Sequence, residues 1–234
     1  GGNHNIKYFK PGEDYSGYEF PNSDLLNIGN LVGLKMDRVN FEGSHFGEML
    51  IQNTSFRGAN LRNVNAGGLN EDMIGCDLTD ADITDSSLPI SKEQLMTTKN
   101  YKEKNLAGCC FSSRDLSGVS FAGFDLTGTL FNQCDIADCD FTDANITGMA
   151  VSGMTADQLR STSSFKAKNL THTVFSQSNF DGLDFRDFHL GAFRQCSFKN
   201  TDMTNAFLVK LPREKCLPSQ YQFRYFPAAF INLM

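Results

Sequence analysis

The stretch DIADCDFTDANITG, from Asp135 to Gly148, decides how this chain folds. Ile136, Phe141 and Ile146 recur every fifth residue, and Asp135, Asp140 and Asn145 stand immediately before them. Two positions before each lies a small residue, Cys134, Cys139 or Ala144. A period of five fits neither the 3.6-residue helical repeat nor the alternation of a long extended strand. In a short extended piece, residues two apart point the same way. The apolar fifth residue, termed the centre below, therefore points inward with the small residue two before it, and the residue between them points out.

Two residues remain in each unit, enough to turn a corner, and many are turn formers, as in "TG", "TD", "SG", "AG" and "DG". Short inward-facing sides separated by bends wind the chain into a coil whose backbone pairs with the coils above and below, about 4.8 Å away. A single side cannot bury its apolar residue, but stacked coils can. Centres run from Leu26 to Leu61, break at "VNAGGLNED", and resume from Met73 to Leu88. The longest run is unbroken from Leu106 to Val151. Leu170 to Leu190 follow, and a shifted frame closes with Phe193, Phe198, Met203 and Leu208. In the long run Phe111, Phe121, Phe131 and Phe141 alternate with Leu116, Leu126, Ile136 and Ile146. Three sides per coil would stack Phe on Leu. Four sides stack Phe111 under Phe131 and Leu116 under Ile136, which suits offset aromatic packing, so four is the expected number.

The units "TDANITG", "CDLTDADIT", "GANLRN" and "KNLAG" resemble the pentapeptide-repeat family, with its loose consensus A-(D/N)-L-x-x. The resemblance spans roughly residues 24–210 and implies an all-β fold, a right-handed quadrilateral parallel β-helix with short helical inserts and terminal caps. Residues 1–23 are expected as an N-terminal cap and 24–210 as the β-helix, with inserts near 62–72, 89–102 and 152–166. Residues 211–234 are expected as a C-terminal cap or dimerisation tail.

Two of the breaks, "SKEQLMTTKNYKEKNL" from Ser91 and "TADQLRSTSSFKAKNL" from Thr155, repeat each other. Each opens on a capping-box pattern, Ser91 with Gln94 and Thr155 with Gln158. One helical turn bulging from a corner is expected in each, packed back by Leu95 and Leu159. Lys104, Lys168 and Arg114 fall at inward small positions, and their charged ends are expected to reach the surface.

The chain has 234 residues, no Trp, 21 Phe and a net charge of −6. That charge disfavours direct contact with nucleic acid phosphate, and no stretch approaches 18 apolar residues, so membrane insertion is not expected. The seven cysteines lack metal-ligand spacing. Cys76, Cys109, Cys134, Cys139 and Cys196 read as small buried side chains, reduced in a cytosol-like compartment, whereas Cys110 and Cys216 read as exposed thiols. The expected location is cytoplasmic, or secreted as part of a longer chain. His4, His45, His172 and His189 are scattered, and no nucleophile or phosphate-binding motif occurs. No catalytic residue, metal or cofactor is expected, and the chain reads as a non-enzymatic module that binds another protein.

Charge is the uneven feature. Residues 69–91 and 115–159 carry −13 between them and no Lys or Arg, whereas residues 160–234 hold ten Lys or Arg against five acids. Asp115, Asp125, Asp135, Asp138, Asp140 and Asp143 are the candidate acidic face for a basic partner, with Asp115 beneath Asp135 in a 20-residue coil. The alternative function, implied by the resemblance, is a DNA mimic binding DNA gyrase or a topoisomerase through that face. Tyr221, Phe223, Tyr225, Phe226 and Phe230 are candidate contacts of a tail-to-tail homodimer, as in quinolone-resistance members of the family; a cap on a monomer is the other reading of the same tail.

Overall fold

A computed structural model describes residues 9–25, 29–66 and 72–208. The chain forms a stack of four-sided coils. In the long run the backbone ladders pair Asn105 with Asp125, Cys110 with Leu130, Asp115 with Asp135 and Ser120 with Asp140, all parallel and all 20 residues apart. These four ladders define the sides. The first carries Cys110, the second Asp115, the third Ser120 and the fourth Asp125.

The strands are β1 (Leu31–Val32), β2 (Ile51–Gln52), β3 (Cys110–Ser112), β4 (Leu130–Asn132), β5 (Ala150–Ser152), β6 (Val174–Ser176), β7 (His189–Leu190), β8 (Ala192–Arg194) and β9 (Phe207–Leu208). β3, β4, β5, β6 and β8 make one five-stranded sheet along the first side. Its strands are up to three residues long, and no fourth-to-first hydrogen bond closes the corner after Phe111 or Phe131. The other three corners close with a hydrogen bond from the fourth residue to the first, as from Cys139 N to Ile136 O (3.2 Å) and from Ala144 N to Phe141 O (3.0 Å). The third residue of each such turn has positive φ, 57° at Asp138 and 73° at Gly148, which is why Asp, Asn and Gly recur there.

The centres fill the tube. All ten from Leu106 to Val151 are buried. Phe111 and Phe131 lie 5.7 Å apart in neighbouring coils, and Phe121 stacks on Phe141 at 5.5 Å. The small inward residue has its own task, since it caps a centre carbonyl of the preceding coil. Thr129 Oγ1 donates to Leu106 O (2.8 Å), Cys139 Sγ to Leu116 O (3.0 Å) and Cys134 Sγ to Phe111 O (3.5 Å). Ser, Thr and Cys therefore suit that position. Cys76, Cys109, Cys134 and Cys139 are buried, Cys196 is half-buried, and burial pushes the Cys109 thiol up to about 12. Cys110 is half-buried, and Cys216 lies outside the described residues.

Several expectations are corrected. Residues 9–25 are not a cap: Asp14, Glu19 and Asp24 already pair with Lys35, Asn40 and His45, and Tyr15, Phe20 and Leu25 are buried centres. This first coil is 21 residues long, so the strict period of five slips by one there. The buried residue in that region is Leu25; Leu26 is outside the described residues. Nor does the insert begin at residue 62. Val64 and Ala66 are buried, Asn65 pairs with His45 and Ser87, and Ala is simply a weak apolar signal.

The two repeated breaks do not bulge from corners. Each forms two short helices standing where the second and third sides of a coil would be. These are α1 (Lys92–Thr97) and α2 (Lys99–Lys102), then α3 (Ala156–Ser161) and α4 (Ser163–Lys166). Both capping boxes are complete, and Thr98 and Thr162 each end one helix and cap the next. Leu95 and Leu159 are fully buried, so they enter the core as centres do. Gln94 Nε2 donates to Met73 O (2.7 Å) and Cys76 O (3.0 Å) of the coil below. Gln158 Nε2 does the same to Ile136 O (3.0 Å) and Cys139 O (3.2 Å). These clamps replace the ladder bonds the helices forgo.

Lys104 and Lys168 are exposed, in the left-handed region. Lys104 Nζ donates to Ala122 O and Lys168 pairs with Asp187. The Arg114 side chain is only 18% exposed and pairs with Asp72 at 2.5 Å.

Candidate interaction surface

The interior is packed with apolar side chains, so the chemistry available to a partner lies on the outer ladders. The residue before each centre points outward. Its carboxylate commonly accepts from the backbone amide two residues on and from a hydroxyl there, which ties it to the corner. Asp115 Oδ1 accepts from Ser117 N (2.9 Å) and Ser117 Oγ (2.6 Å), and Asp125 Oδ1 from Thr127 N (3.0 Å) and Thr127 Oγ1 (2.5 Å). Asp135 Oδ1 accepts from Ala137 N and Asp140 Oδ1 from Thr142 N, both at 2.9 Å. The repeated Asp is thus first a turn residue.

The six candidate carboxylates do not share one side. Asp115 and Asp135 stack on the second side and Asp140 lies on the third. Asp138 sits at the corner between them, Asp143 at the next corner, and Asp125 on the fourth side between Asn105 and Asn145. A linear period of five spreads consecutive units around the tube, so a run of Asp in sequence is a girdle in space. Asp115, Asp135, Asp138 and Asp140 still gather along the edge between the second and third sides.

Counter-charges divide these residues. Lys92 Nζ, on α1, reaches Asp115 Oδ2 (3.1 Å) and Ser117 O (3.1 Å). Ser117 and then Lys92 hold the Asp115 carboxyl down at about 2. Lys166 pairs with Asp143 at 2.6 Å, as Lys102 does with Asp80 at the other insert. On the fourth side Asn145 Nδ2 donates to Thr127 Oγ1 (3.0 Å), so Asp125 faces amides above and below and not another carboxylate. Among the described residues, Asp125, Asp135, Asp138 and Asp140 have no ion pair. Hydrogen bonds from Thr142 hold the Asp140 carboxyl below its ordinary range.

The two inserts' cationic partners were not legible in sequence as partners of particular acids, because Lys92 and Asp115 meet only once the helix occupies the wall. A signal that could have been read was the first side. Counting twenty residues at a time through its outward positions gives Cys110, Leu130 and Ala150, with no charge.

Among the described residues no group of His, Cys, Asp and Glu is placed to hold a metal ion, and no helix is long and apolar enough to cross a membrane. His45 and His189 stand on outward ladder positions, and His172 occupies a corner. His4 and the candidate tail contacts Tyr221, Phe223, Tyr225, Phe226 and Phe230 lie outside the described residues.

Residues 109–148 match the family model for pentapeptide repeats, with eight copies. The chain is similar to the solved structure of HetL, a pentapeptide repeat protein involved in heterocyst differentiation regulation in the cyanobacterium Nostoc sp. strain PCC 7120. Identity is 13%, covering 84% of this chain and 88% of that one, with a TM-score of 0.27. It is similar to a pentapeptide repeat protein of the Arabidopsis thaliana thylakoid lumen, at 17% identity over 60% and 69% of the chains and a TM-score of 0.22. It is also similar to QnrB1, a plasmid-mediated fluoroquinolone resistance protein, at 14% identity over 85% and 88%, with a TM-score of 0.23. No curated protein matches the chain in sequence. Residues 109–148 are thus matched as pentapeptide repeats, and the same four-sided ladder continues on both sides of them, so the described residues fold as a quadrilateral parallel β-helix.

Proposed function

We propose that the chain is a non-enzymatic scaffold that binds another protein, and that the edge bearing Asp115, Asp135, Asp138 and Asp140 docks a basic segment of that partner. The observation that carries this reading is the contrast in counter-charge. Asp77, Asp80, Asp82, Asp143, Asp184 and Asp187 each hold a Lys or Arg of this chain, whereas Asp135, Asp138 and Asp140 hold none among the described residues. Stacked in-register carboxylates repel, and a cationic partner relieves that repulsion. Because Lys92 already neutralises Asp115, the unpaired end of the stack is the end that would receive the partner. Asp125 and Asp143, on and beside the fourth side, fall outside this edge.

An oligo-arginine peptide is the probe. The parent chain should bind it with an affinity that falls steeply with salt. Reversing Asp135, Asp138 and Asp140 to Lys should weaken binding at least tenfold, with circular dichroism of the variant at the assay temperature matching that of the folded parent. Undiminished binding by the reversed variant would remove this edge as the docking surface. The Asp115–Asp135 stack also supports the DNA-mimic reading. Inhibition of gyrase supercoiling by the parent chain, relieved by excess DNA and absent from the reversed variant, is its signature.

A further inference from the structure

We propose that the chain carries a seat for a lysine ammonium group of its partner, in the hollow between Ala156 and the Asn179–Asp181 turn on the second side. The chain's own duplication supplies the template. Counting 64 residues on, Ser91, Lys92, Asp115 and Ser117 become Thr155, Ala156, Asn179 and Asp181. In the first copy Lys92 Nζ donates to Asp115 Oδ2, Ser117 O and Ser117 Oγ, each at 3.1 Å. In the second copy the lysine is replaced by Ala156, and a hollow of about 450 Å³ opens there, with Ala156, Gln177, Asn179 and Asp181 in its wall.

The inserts themselves create the need for a donor. In the regular coils a corner amide two residues past a centre donates to the carbonyl one residue past the centre above. Gly118 N to Ala137 O and Gly182 N to Lys199 O, both 2.8 Å, are examples on this side. Below Ser117 and Asp181 that corner is replaced by α1 and α3, so both carbonyls lose their donor. Lys92 Nζ serves Ser117 O, whereas no group among the described residues donates to Asp181 O. Charge follows the same division. Each turn holds one carboxylate, and Lys92 pairs with Asp115, whereas Asp181 has no ion pair among the described residues. Asp181 Oδ1 accepts from Ser197 Oγ (2.5 Å) and Lys199 N (2.7 Å), which leaves Oδ2 for a ligand. Asn179 Oδ1 accepts from Asp181 N (2.9 Å) as Asp115 Oδ1 does from Ser117 N, so the two turns match in shape.

The occupant is a lysine and not an arginine. Three donors on one nitrogen match three acceptors converging on one point, as they do on Lys92 Nζ, whereas a guanidinium spreads its donors in a plane. The occupant comes from the protein partner because of where the hollow lies. Gln158 clamps α3 onto Ile136 O and Cys139 O, and Thr155 pairs with Asn179, so the hollow sits on the coils next above Asp135. The seat therefore rests on the reading that a basic segment docks at Asp135, and it adds a site for that segment's next lysine, about 5–10 Å further along the rod.

Two measurements on the full chain test the seat and its occupant separately. Ala156→Lys returns an ammonium to the second copy, and in carboxyl NMR titration the Asp181 midpoint should fall by about one pH unit. An unmoved midpoint overturns the seat. The probe for the occupant is a pentalysine peptide. Ala156→Lys and Asp181→Asn should each weaken its binding at least threefold, whereas Asp125→Asn, which removes the same charge from the fourth side, should leave it unchanged. Equal weakening by Asp125→Asn and Asp181→Asn overturns the seat in favour of net charge alone. Binding lost on reversal of Asp135, Asp138 and Asp140 but kept by Asp181→Asn overturns the seat and leaves the edge standing. Binding lost by Asp181→Asn but kept on that reversal supports the seat and removes the edge. A parent chain that does not bind the peptide overturns both.

Discussion

Between Asn105 and Val151 every side takes five residues and every coil twenty, whereas from Val174 to Ala192 the coil takes eighteen. The missing pair comes out of the corner between β7 and β8, where Gly191 alone separates His189–Leu190 from Ala192–Arg194. A Cβ on Gly191 would lie 1.9 Å from Thr173 O and 2.6 Å from Thr173 N, both backbone atoms that cannot give way. The centres differ accordingly. Those of the regular run are buried, but Phe193, Phe198 and Met203 are only partly buried, and Leu208 is 63% exposed. The difference teaches that a coil's stability comes from the coil above it as much as from its own unit, and that a shortened coil keeps register only where a corner residue has no side chain.

Substitutions at matched positions should break the comparison most visibly. Phe131→Ala removes a ring in contact with Phe111 and Phe121 and should cost about 3–5 kcal/mol, lowering the melting temperature by about 10 °C. Phe198→Ala, in the end coil, should cost less than half as much. Equal losses in calorimetry would mean that both coils are equally supported. Gly191→Ala comes next, at about 1–3 kcal/mol. Its effect should be local, so that hydrogen exchange accelerates in Ala192–Leu208 while Phe111–Val151 keeps its protection. The Gln clamps follow. Gln158→Ala strands Ile136 O and Cys139 O, and a loss of about 1–2 kcal/mol is expected, with a similar loss for Gln94→Ala.

The smallest effect concerns pH. The Asp115 carboxyl is held at about 2 chiefly by Ser117, and Asp184 at about 2 chiefly by Arg186. Both folded values lie below the ordinary 3.8, so their stabilisation is complete above about pH 4 and is lost as pH falls through about 2. Carboxyl NMR titration should show Ser117→Ala raising the Asp115 value and Arg186→Gln raising that of Asp184. Added salt should shrink the second effect and leave most of the first, since a hydrogen bond is screened less than an exposed ion pair.

The same contrast explains what could be read from sequence. The regular run was fully legible because five is incompatible with helix or long strand, and the alternation of Phe with Leu or Ile set the number of sides. Phe111 over Phe131 follows from that alternation. The first coil and Ala66 were hidden by a one-residue slip and by a small centre that contributes little apolar signal. The inserts announced their caps through Ser91 with Gln94 and Thr155 with Gln158, but their place inside the wall depends on Leu95 and Leu159 substituting for centres, which no local pattern reveals. The acidic candidates cluster in sequence but not on one face of the tube. In a coil of twenty, residues five apart lie on different sides, and only residues twenty apart stack.

The four-sided register is the claim on which the outer ladders, the acidic edge and the uncharged first side all depend. It is tested most directly by paired cysteines on the wall. Ser120→Cys with Asp140→Cys, twenty residues apart and paired on one ladder, should form an intramolecular disulfide under mild oxidation without loss of melting temperature. Ser120→Cys with Asp135→Cys, fifteen apart, should not. Ready closure of the second pair and failure of the first would mean a three-sided coil and would contradict the account.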